Sequence, residues 1–468
     1  MSSRSGGLLE LVSRGKKDVF FTANPVISHV HSVYTRQVPF TKETYVTKPR
    51  NNPVWGKTVE FPIDHRGDII TDMYLRIQLP TWIPASLIGV NHSGLITDPS
   101  GVTFGYTNSI GFLMLERIQL LMDNVIVHEL YGEYLDWRLR QLYEYSSGYV
   151  LYGSVGARES TPLALARSAT LNTLRVPIPI AGWQSLHATG LPLCALQNQR
   201  FRLRITLRPL SQLLQASDGR LNPNPYGIPM LAQSSPTGLA VPFTTIKQEL
   251  VAPLEMNLEI AERYVSSEIR TYLQSLTYEM PFKHIQQITY TLDDPVLTAA
   301  ANSSVEAFQV PIKVEFIGPV DRLILGIRSE ANTCAGDLTN LRPPFPGTRY
   351  VNAIRLNIAN IDRIQPFPPA VFREFTSYWK DTRMALDYVN QELPHEIYSL
   401  TFADSPDLSA AGTLHFTRAV LPTLYLTLNR TPYDRRNINR KATVSIYAES
   451  WNVLQIRCGY AALMFDDS

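Results

Sequence analysis

Short segments in which apolar and polar side chains alternate recur along the whole 468-residue sequence. This period of two is typical of β-strands, because successive side chains of a strand point to opposite faces of the sheet. In the first half the segments are 58–63, 69–80, 112–130, 171–180 and 200–210. In the second half they are 275–282, 305–317, 321–328, 350–360, 396–402, 413–419, 423–429 and 443–449. The pattern restarts once, which predicts two β-sandwiches in tandem.

Helical periodicity is scarce by comparison. The better candidates are 129–145, 260–274 and 369–386, and the second of them falls between the two sets of strands. Long segments rich in Pro, Gly and Ser separate the strands, at 81–106, 146–170, 211–250, 329–349 and 361–395. Many short strands, few helices and long loops favour a β-sandwich or jelly-roll architecture.

The C-terminal segment 450–465 is unusually apolar for the end of a chain. It is too short to cross a hydrocarbon core, and Arg457 stands near its middle. Leu454, Ile456, Cys458 and Tyr460 would share one face of a strand with this periodicity. We therefore predict a buried last strand that closes a sheet.

Composition narrows the classes of function. The net charge of +2 gives no overall field that would attract a polyanion. Cys194, Cys334 and Cys458 are far apart and lack metal-ligand spacing, which favours a reducing compartment. We expect no signal peptide and no membrane span, because apolar runs of about 18 residues are missing from the sequence.

Two motifs could form binding sites, and each has a simpler structural explanation. The segment RFRLRITLR at 200–208 places arginines on one strand face, where they could grip phosphates. That face lacks interleaved aromatic residues, so pairing with carboxylates of a neighbouring strand or subunit is favoured. Arg66-Gly67-Asp68 spells a cell-attachment tripeptide, but a turn into the next strand explains its glycine.

Metal and catalytic chemistry is predicted to be absent. His29 and His31 would share a strand face and could bind a metal, but no further clustered ligand accompanies them. The acid pairs at 293–294 and 466–467 are sequence neighbours, whose side chains point to opposite faces of a strand. Hydrolase and phosphate-loop motifs are missing. We predict no catalytic residue, no metal ligand and no cofactor.

Several longer stretches carry a family resemblance. In the first half they are 6–36, with an apolar arm before an Asn-Pro, 61–80, with its Arg-Gly-Asp strand start, and 107–137. In the second half they are 317–328, 396–419 and 443–463. These stretches resemble the double jelly-roll major capsid proteins of nucleocytoplasmic large DNA viruses, of iridovirus or phycodnavirus type. Glu449, Ser450 and Trp451 depart from the family pattern.

The resemblance implies an all-β fold of two tandem eight-stranded antiparallel jelly rolls with long loops and a few short helices. The implied boundaries are an N-terminal arm at 1–19, a first jelly roll at 20–262, a helical linker at 263–275 and a second jelly roll at 276–468. The last strand would close the second jelly roll and bury Leu454, Ile456 and Tyr460 in it.

The resemblance also implies a structural, non-enzymatic protein. It would form homotrimers, pseudo-hexagonal capsomers that tile the icosahedral shell of a large double-stranded DNA virus. Its location would be the virion, with assembly in the host cytoplasm. Subunit contacts would cover apolar loop residues, such as Leu151, Leu163, Leu165 and Phe345.

Further partners implied are neighbouring capsomers and minor capsid, cement and penton proteins. The arm at 1–19 has too few cations to package nucleic acid, so we expect it to contact the capsid underside, minor proteins or an internal membrane. The alternative is an unanchored, disordered tail. Direct sequence-specific nucleic acid binding is not expected.

Three alternatives remain from the sequence. One is a β-sandwich protein that binds carbohydrate or a receptor. Another is an enzyme on a β-sandwich, such as a glycoside hydrolase, which would need a carboxylate pair across a cleft. The third is a trimeric scaffold relative that is absent from the mature virion.

Overall fold

Two sets of eight β-strands account for most of the structure, which is a computed structural model. It describes residues 39–80, 104–142, 153–157, 165, 167–168, 172–179, 190–216, 254–293, 307–341, 349–372, 396–403, 412–429 and 441–465, with the strand pairs at 89–90, 96–97, 228–229 and 245–246. The first set is β1 (Phe40–Thr47), β2 (Thr58–Ile63), β3 (Ile69–Leu79), β4 (Leu115–Met122), β5 (Val125–Leu130), β6 (Asn172–Pro177), β7 (Phe201–Leu207) and β8 (Glu255–Val265). The second set is β9 (Tyr278–Leu292), β10 (Ala307–Lys313), β11 (Pro319–Ser329), β12 (Val351–Ile358), β13 (Ile361–Phe367), β14 (Ile397–Thr401), β15 (Thr423–Asn429) and β16 (Ala442–Arg457).

Short helices and strands fill the connections. Among the described residues, the α-helices are α1 (Ile110–Leu113), α2 (Gly132–Leu142), α3 (Ser267–Ser275) and α4 (Glu330–Cys334). Single 3-10 turns lie at Leu193–Ala195, Leu210–Gln212 and Phe416–Arg418. Further short strands are Gly89–Val90, Ile96–Thr97, Phe104–Tyr106, Leu214–Ala216, Ile228–Pro229, Thr245–Ile246, Leu414–His415 and Tyr460–Leu463.

The strand order is the same in both sets. In the first sandwich, sheet A has the order β1-β8-β3-β6 and sheet B has the order β2-β7-β4-β5. In the second sandwich, sheet C has the order β9-β16-β11-β14 and sheet D has the order β10-β15-β12-β13. Each strand of the second sandwich therefore takes the place of the strand numbered eight lower in the first. All pairings that define these sheets for which the register is known are antiparallel. The predicted fold of two tandem eight-stranded jelly rolls is confirmed.

The two sandwiches also share their irregularities. β3 has one extra residue opposite β8, Thr71, and β11 has one extra residue, Asp321, at the same place opposite β16. The β4–β5 hairpin has its extra residue at Val127, the third residue of β5, and the β12–β13 hairpin has Arg363 at the same count. Because a bulge re-aims the side chains around it, these shared positions align the two sandwiches residue by residue.

Alternating side chains fill the interior of each sandwich. In β7, Phe201, Leu203 and Ile205 are buried, whereas Arg202 and Arg204 point away from the core. A slip of one residue would reverse both faces, so this alternation also fixes the register. The buried side chains form two clusters, one centred on each sandwich.

The last strand belongs to both clusters. Val444, Ile446 and Ala448 of β16 lie in the second cluster, whereas Tyr447 and Leu454 lie in the first. β9 pairs with β16 along its whole length, and β16 is buried on both faces through most of its course. A strand covered on both sides needs nearly continuous burial, which explains why this terminus is so apolar.

The structure corrects the predicted end of the chain. Leu454 and Ile456 are buried as expected, but in the cluster of the first sandwich rather than that of the second. Cys458 and Gly459 have φ angles of +52° and +84° and form a turn, and Tyr460 begins a short strand that pairs back onto β16. The turn breaks the alternation, so Tyr460 is 56% exposed and its predicted burial is wrong.

Some predicted helices and strands also differ. Residues up to 265 of the predicted helix 260–274 continue β8, and only α3 is helical; it lies inside the predicted linker 263–275. Most of the predicted strand 413–419 is a two-residue strand followed by a 3-10 turn. In the predicted helix 369–386, residues beyond 372 lie outside the described residues.

We predict that Ile456→Asp yields insoluble or unfolded protein. Ile456 is 1% exposed, and burial of such a side chain contributes about 1.5–3 kcal/mol, to which the cost of a buried charge is added. The matched control is Tyr460→Asp, four residues away on an exposed position, which should remain soluble. Soluble yield and circular dichroism check the pair, and a native Ile456→Asp product would contradict the placement.

Candidate functional site at the junction of the two sandwiches

Helix α2 of the first sandwich packs on the outer face of sheet C. The Trp137 and Tyr447 rings meet edge to face with centroids 5.2 Å apart, and Tyr134 lies 5.7 Å from the same tyrosine ring. A Cβ atom at Gly326 would stand 2.7 Å from the Trp137 indole, so only glycine fits beneath that ring. This contact of α2 with sheet C is called the junction below.

A buried carboxylate organises the centre of the junction. Glu449 of β16 is fully buried, and its carboxylate lies 2.6 Å from Arg322, 2.8 Å from Lys283 and 3.3 Å from Arg138. The Tyr134 hydroxyl of α2 donates a hydrogen bond of 2.9 Å to it. Burial alone would raise the pKa of Glu449, but Arg322, Lys283 and Arg138 hold it well below its usual range.

A second buried carboxylate, Glu133, lies on α2 itself, next to Tyr134. Glu133 accepts hydrogen bonds from Arg328 of β11 at 2.6 Å and from the Tyr447 hydroxyl at 2.8 Å. Burial opposes ionisation, and the Arg328 guanidinium is the main group that lowers the pKa of Glu133. The two carboxylates connect α2 to β11 and to β16. Contacts with two strands restrict both the angle and the position of the helix on sheet C.

Asp321 is the buried carboxylate of the network whose negative charge is least stabilised. Its carboxylate lies 3.1 Å from Lys283, which it shares with Glu449. Burial, opposed by Lys283 and reinforced by the Glu449 charge, raises the pKa of Asp321 to about 6. This residue is the bulge residue of β11, so its position follows from the backbone irregularity rather than from the alternation of the strand.

His128 connects the edges of the two sandwiches. It lies on β5, is 3% exposed, and donates from Nε2 to the Lys283 carbonyl oxygen of β9 at 3.0 Å. Its ring also packs edge to face on Phe282, 5.3 Å between centroids. Burial, with a contribution from nearby His284, lowers the pKa of His128 to about 3, so the ring is neutral at physiological pH.

The C-terminal hairpin closes the junction at its far end. The Gln199 side chain accepts from the Ala461 backbone N–H at 2.7 Å and donates to the Ala461 carbonyl at 3.1 Å. Gly459 accepts from the Asn198 backbone N–H at 3.3 Å. The chain end is thus bound to the loop before β7 of the first sandwich.

The Arg66-Gly67-Asp68 tripeptide has a structural role. Asp68 is 3% exposed, and its carboxylate accepts from Arg270 of α3 at 2.6 Å and from the Val265 backbone N–H at 2.8 Å. Gly67 donates its N–H to the buried Glu262 carboxylate at 2.6 Å. The predicted turn explanation agrees with this geometry, since Asp68 is already bound and fixes the start of α3.

The arginine row of β7 pairs as the simpler interpretation predicts. Glu60 of the neighbouring β2 lies 2.9 Å from Arg204 and 3.6 Å from Arg202. Arg202 also donates to the Asn124 side chain at 2.6 Å. Two arginines of the row thus share one carboxylate of the neighbouring strand, as the simpler explanation predicts.

Most of the other residues singled out in the sequence lie outside the described part of the chain. Leu165 is 3% exposed within the chain itself, so the prediction that a subunit contact covers it is wrong. Leu151, Leu163 and Phe345, the histidine pair at 29 and 31, and the arm at 1–19 lie outside the described residues. Within the described part of the chain, acidic, histidine and cysteine side chains form no group of three that could hold a metal. No helix in that part is long and apolar enough to span a membrane.

Sequence comparisons point to one class of protein. A family model described as the major capsid protein N-terminus matches residues 28–233. Capsid protein 1 of Acanthamoeba polyphaga mimivirus is 28% identical over 223 residues, which cover 46% of this chain and 36% of that protein. The chain therefore spans little more than a third of that relative. The major capsid protein of Phaeocystis pouchetii virus is 22% identical over 545 residues, covering 99% of this chain and 100% of the relative.

Solved structures share the fold. The crystal structure of PBCV-1 VP54, fitted into a reconstruction of the virophage Sputnik, matches with a TM-score of 0.69 at 17% identity and covers 94% of this chain and 100% of that one. The fold is that of a double jelly-roll capsid protein. The predicted resemblance to the major capsid proteins of large DNA viruses is confirmed, and the comparisons support a structural rather than an enzymatic protein.

We predict that Glu449→Gln destabilises the protein by about 3–5 kcal/mol, because three buried cations lose their shared counter-charge. The control is Asp72→Asn, which breaks the exposed Lys42–Asp72 pair at 3.2 Å and should change stability by less than about 1 kcal/mol. Urea denaturation of both variants checks this. Equal shifts in the two would show that the buried network carries no special weight.

We predict that His128→Gln reduces the acid sensitivity of the protein. The pKa of His128 is about 3 in the folded protein and about 6.5 in the unfolded chain. Below pH 6.5 the unfolded chain therefore binds a proton that the folded protein does not, and the free energy of unfolding falls as the pH is lowered. At pH 5 the loss is about 2 kcal/mol. The pKa values of Asp321 and Glu262 are raised to about 6, so these groups make the folded protein more stable as the pH is lowered. Their effect is the same in wild type and variant, so it cancels in the difference between the two proteins.

The measurement is the urea midpoint of wild type and His128→Gln at pH 7.5 and pH 5. Glutamine retains an N–H donor for the Lys283 carbonyl, so the variant tests titration rather than loss of the hydrogen bond. A wild type that loses no more stability than the variant would refute the assignment.

Proposed function

We propose that this protein is the building block of a viral shell and assembles as a homotrimer. Three chains would place six jelly rolls around one axis and give a capsomer with a pseudo-hexagonal outline, and such capsomers would tile an icosahedral shell. The supporting observation is the repeated strand order, which gives each chain two blocks of the same shape. A closed ring of identical chains is the ordinary way in which such blocks assemble.

The junction supports this role. A shell subunit must hold its two blocks at a fixed angle, because an error in that angle would be repeated in every copy. The Glu449 and Glu133 networks join strands of one sandwich to a helix of the other through directional contacts. Directional buried pairs specify one arrangement, whereas apolar packing alone tolerates several.

We propose the domain boundaries in the same terms. Residues 1–19 form an arm, 20–262 the first jelly roll, 263–275 the helical linker and 276–468 the second jelly roll. The Asp68–Arg270 contact supports a linker that is fixed to the first jelly roll rather than free to swing.

The partners would be neighbouring capsomers and minor capsid, cement and penton proteins. The arm would contact those proteins or an internal membrane, and the nucleic acid would not be bound in a sequence-specific way. The protein would reside in the virion after assembly in the host cytoplasm. A net charge of +2 allows many copies to pack side by side without strong mutual repulsion.

The test is the solution mass of the purified protein by size exclusion with light scattering. Three chains of 52.8 kDa give about 158 kDa in total, the value expected for a capsomer. Negative-stain images of that species should show a near-hexagonal outline. A stable, folded monomer at all concentrations would count against the proposal.

A further inference from the structure

The shared bulges give a residue-by-residue alignment of sheets A and C. Counted from the bulge at Thr71 and Asp321, Tyr74 of β3 is equivalent to Ile324 of β11, and Arg76 is equivalent to Gly326. On the neighbouring strand, Glu259 of β8 is equivalent to Tyr447 of β16. All of these positions face away from the interior of their own sandwich.

The outer face of sheet C is covered within the chain. Ile324 and Tyr447 are both fully buried and belong to the cluster of the first sandwich. Gly326 lies under the Trp137 ring of α2. Helix α2 of the first sandwich therefore covers this face, and it packs on apolar groups such as Tyr447 as well as on the paired charges of the junction.

The equivalent face of sheet A is open and polar. Arg76 is exposed, Tyr74 is partly exposed, and the Arg175 side chain is 55% exposed. Arg175 stacks 4.0 Å from the centroid of the Tyr74 ring and pairs with Glu259 at 2.8 Å. These groups form an ordered surface, called face A below, in the place that α2 covers on sheet C.

The second sandwich carries the matching sheet edge. Strand β5, the edge of sheet B, contacts β9 of the second sandwich through His128. Its equivalent is β13, the edge of sheet D, which exposes 73% of Ile361 and 44% of Phe367. Strand β1, the equivalent of β9, is also exposed along most of its length, Val46 by 51%.

We propose that a second copy of this chain covers face A, and that the covering part is the β13 side of its second sandwich. In a closed ring the contact between first and second sandwich inside one chain recurs between chains, second sandwich to first. The inference rests on the proposed homotrimer and assigns its contact surface. In the described part of the chain, each copy offers one exposed face A and one exposed β13 edge, so the contact is heterologous and closes only as a ring.

The two contacts would differ in chemistry although they are equivalent in position. The one inside the chain buries apolar rings and compensated charges, whereas face A presents Arg76, Arg175 and Glu259. A contact of this kind is more polar and weaker for its size, which suits subunits that must fold alone before they associate. Reversing a charge on face A should therefore weaken association without unfolding the subunit.

The first experiment compares the trimer mass of wild type, Arg76→Glu and Arg457→Glu by light scattering over a dilution series. Arg457 is also exposed but lies on the C-terminal hairpin, away from face A, and is the matched control. We expect the concentration of half-dissociation to rise at least about tenfold for Arg76→Glu and to stay unchanged for Arg457→Glu. Circular dichroism verifies that each variant is folded.

The second experiment does not depend on a loss of function. In a background with Cys334→Ser and Cys458→Ser, Thr44→Cys on β1 is combined with Ile361→Cys on β13 and treated with a long, flexible bismaleimide. Covalent species of two and three chains are expected on a denaturing gel. The control replaces Ile361→Cys by Val125→Cys, the equivalent hairpin position of the first sandwich, which is 60% exposed and should give no species larger than one chain.

The outcomes separate the two proposals. A wild-type trimer that Arg76→Glu leaves intact, together with no crosslink specific to Ile361→Cys, overturns the face A assignment and leaves the homotrimer standing. A wild type that is monomeric at every concentration overturns both. If Arg76→Glu fails to fold, the crosslink alone decides.

Discussion

The rest of the structure depends on the Glu449 carboxylate, which is held without solvent by three cations and a tyrosine hydroxyl. A buried charge is costly unless its partners are in place, so the cluster penalises every arrangement of the two sandwiches except one. Two jelly rolls joined by apolar packing alone could slide on each other. The cluster adds directional contacts to that apolar packing, which agrees with the shell role proposed above.

Repetition and difference are combined in this chain. The strand order and the bulges repeat, so the two sandwiches have the same frame. Their outer faces differ, since Tyr447 and Gly326 stand where Glu259 and Arg76 stand in the first sandwich. In the trimer proposed above, the repeated frame would give three chains a near-sixfold outline, and the different outer faces would separate the contact within a chain from the contact between chains.

Much of the fold was predictable, because burial of one strand face leaves a local signature. The alternation in β7 predicted both the buried face and the paired arginines, and the family resemblance supplied the count of eight strands in each jelly roll. The end of the chain shows the limit. Leu454 and Ile456 were identified as buried, but a period of two carries no information about which core buries them. The prediction for Tyr460 was wrong because the turn at Cys458 interrupts the alternation. The junction was not identified, because Glu133, Lys283, Arg322 and Glu449 are far apart in sequence.

The sequence by itself determined the all-β class, the tandem arrangement and the kinship with capsid proteins, since each rests on local periodicity or on motifs in a fixed order. The tertiary structure alone decided which outer face is covered. An outward residue of a strand, such as Tyr447 or Tyr74, has the same local pattern in either case. The difference is that α2, which lies about three hundred residues before β16 in the sequence, packs on Tyr447. This contact depends on long-range packing and on charges that come together only in the folded chain.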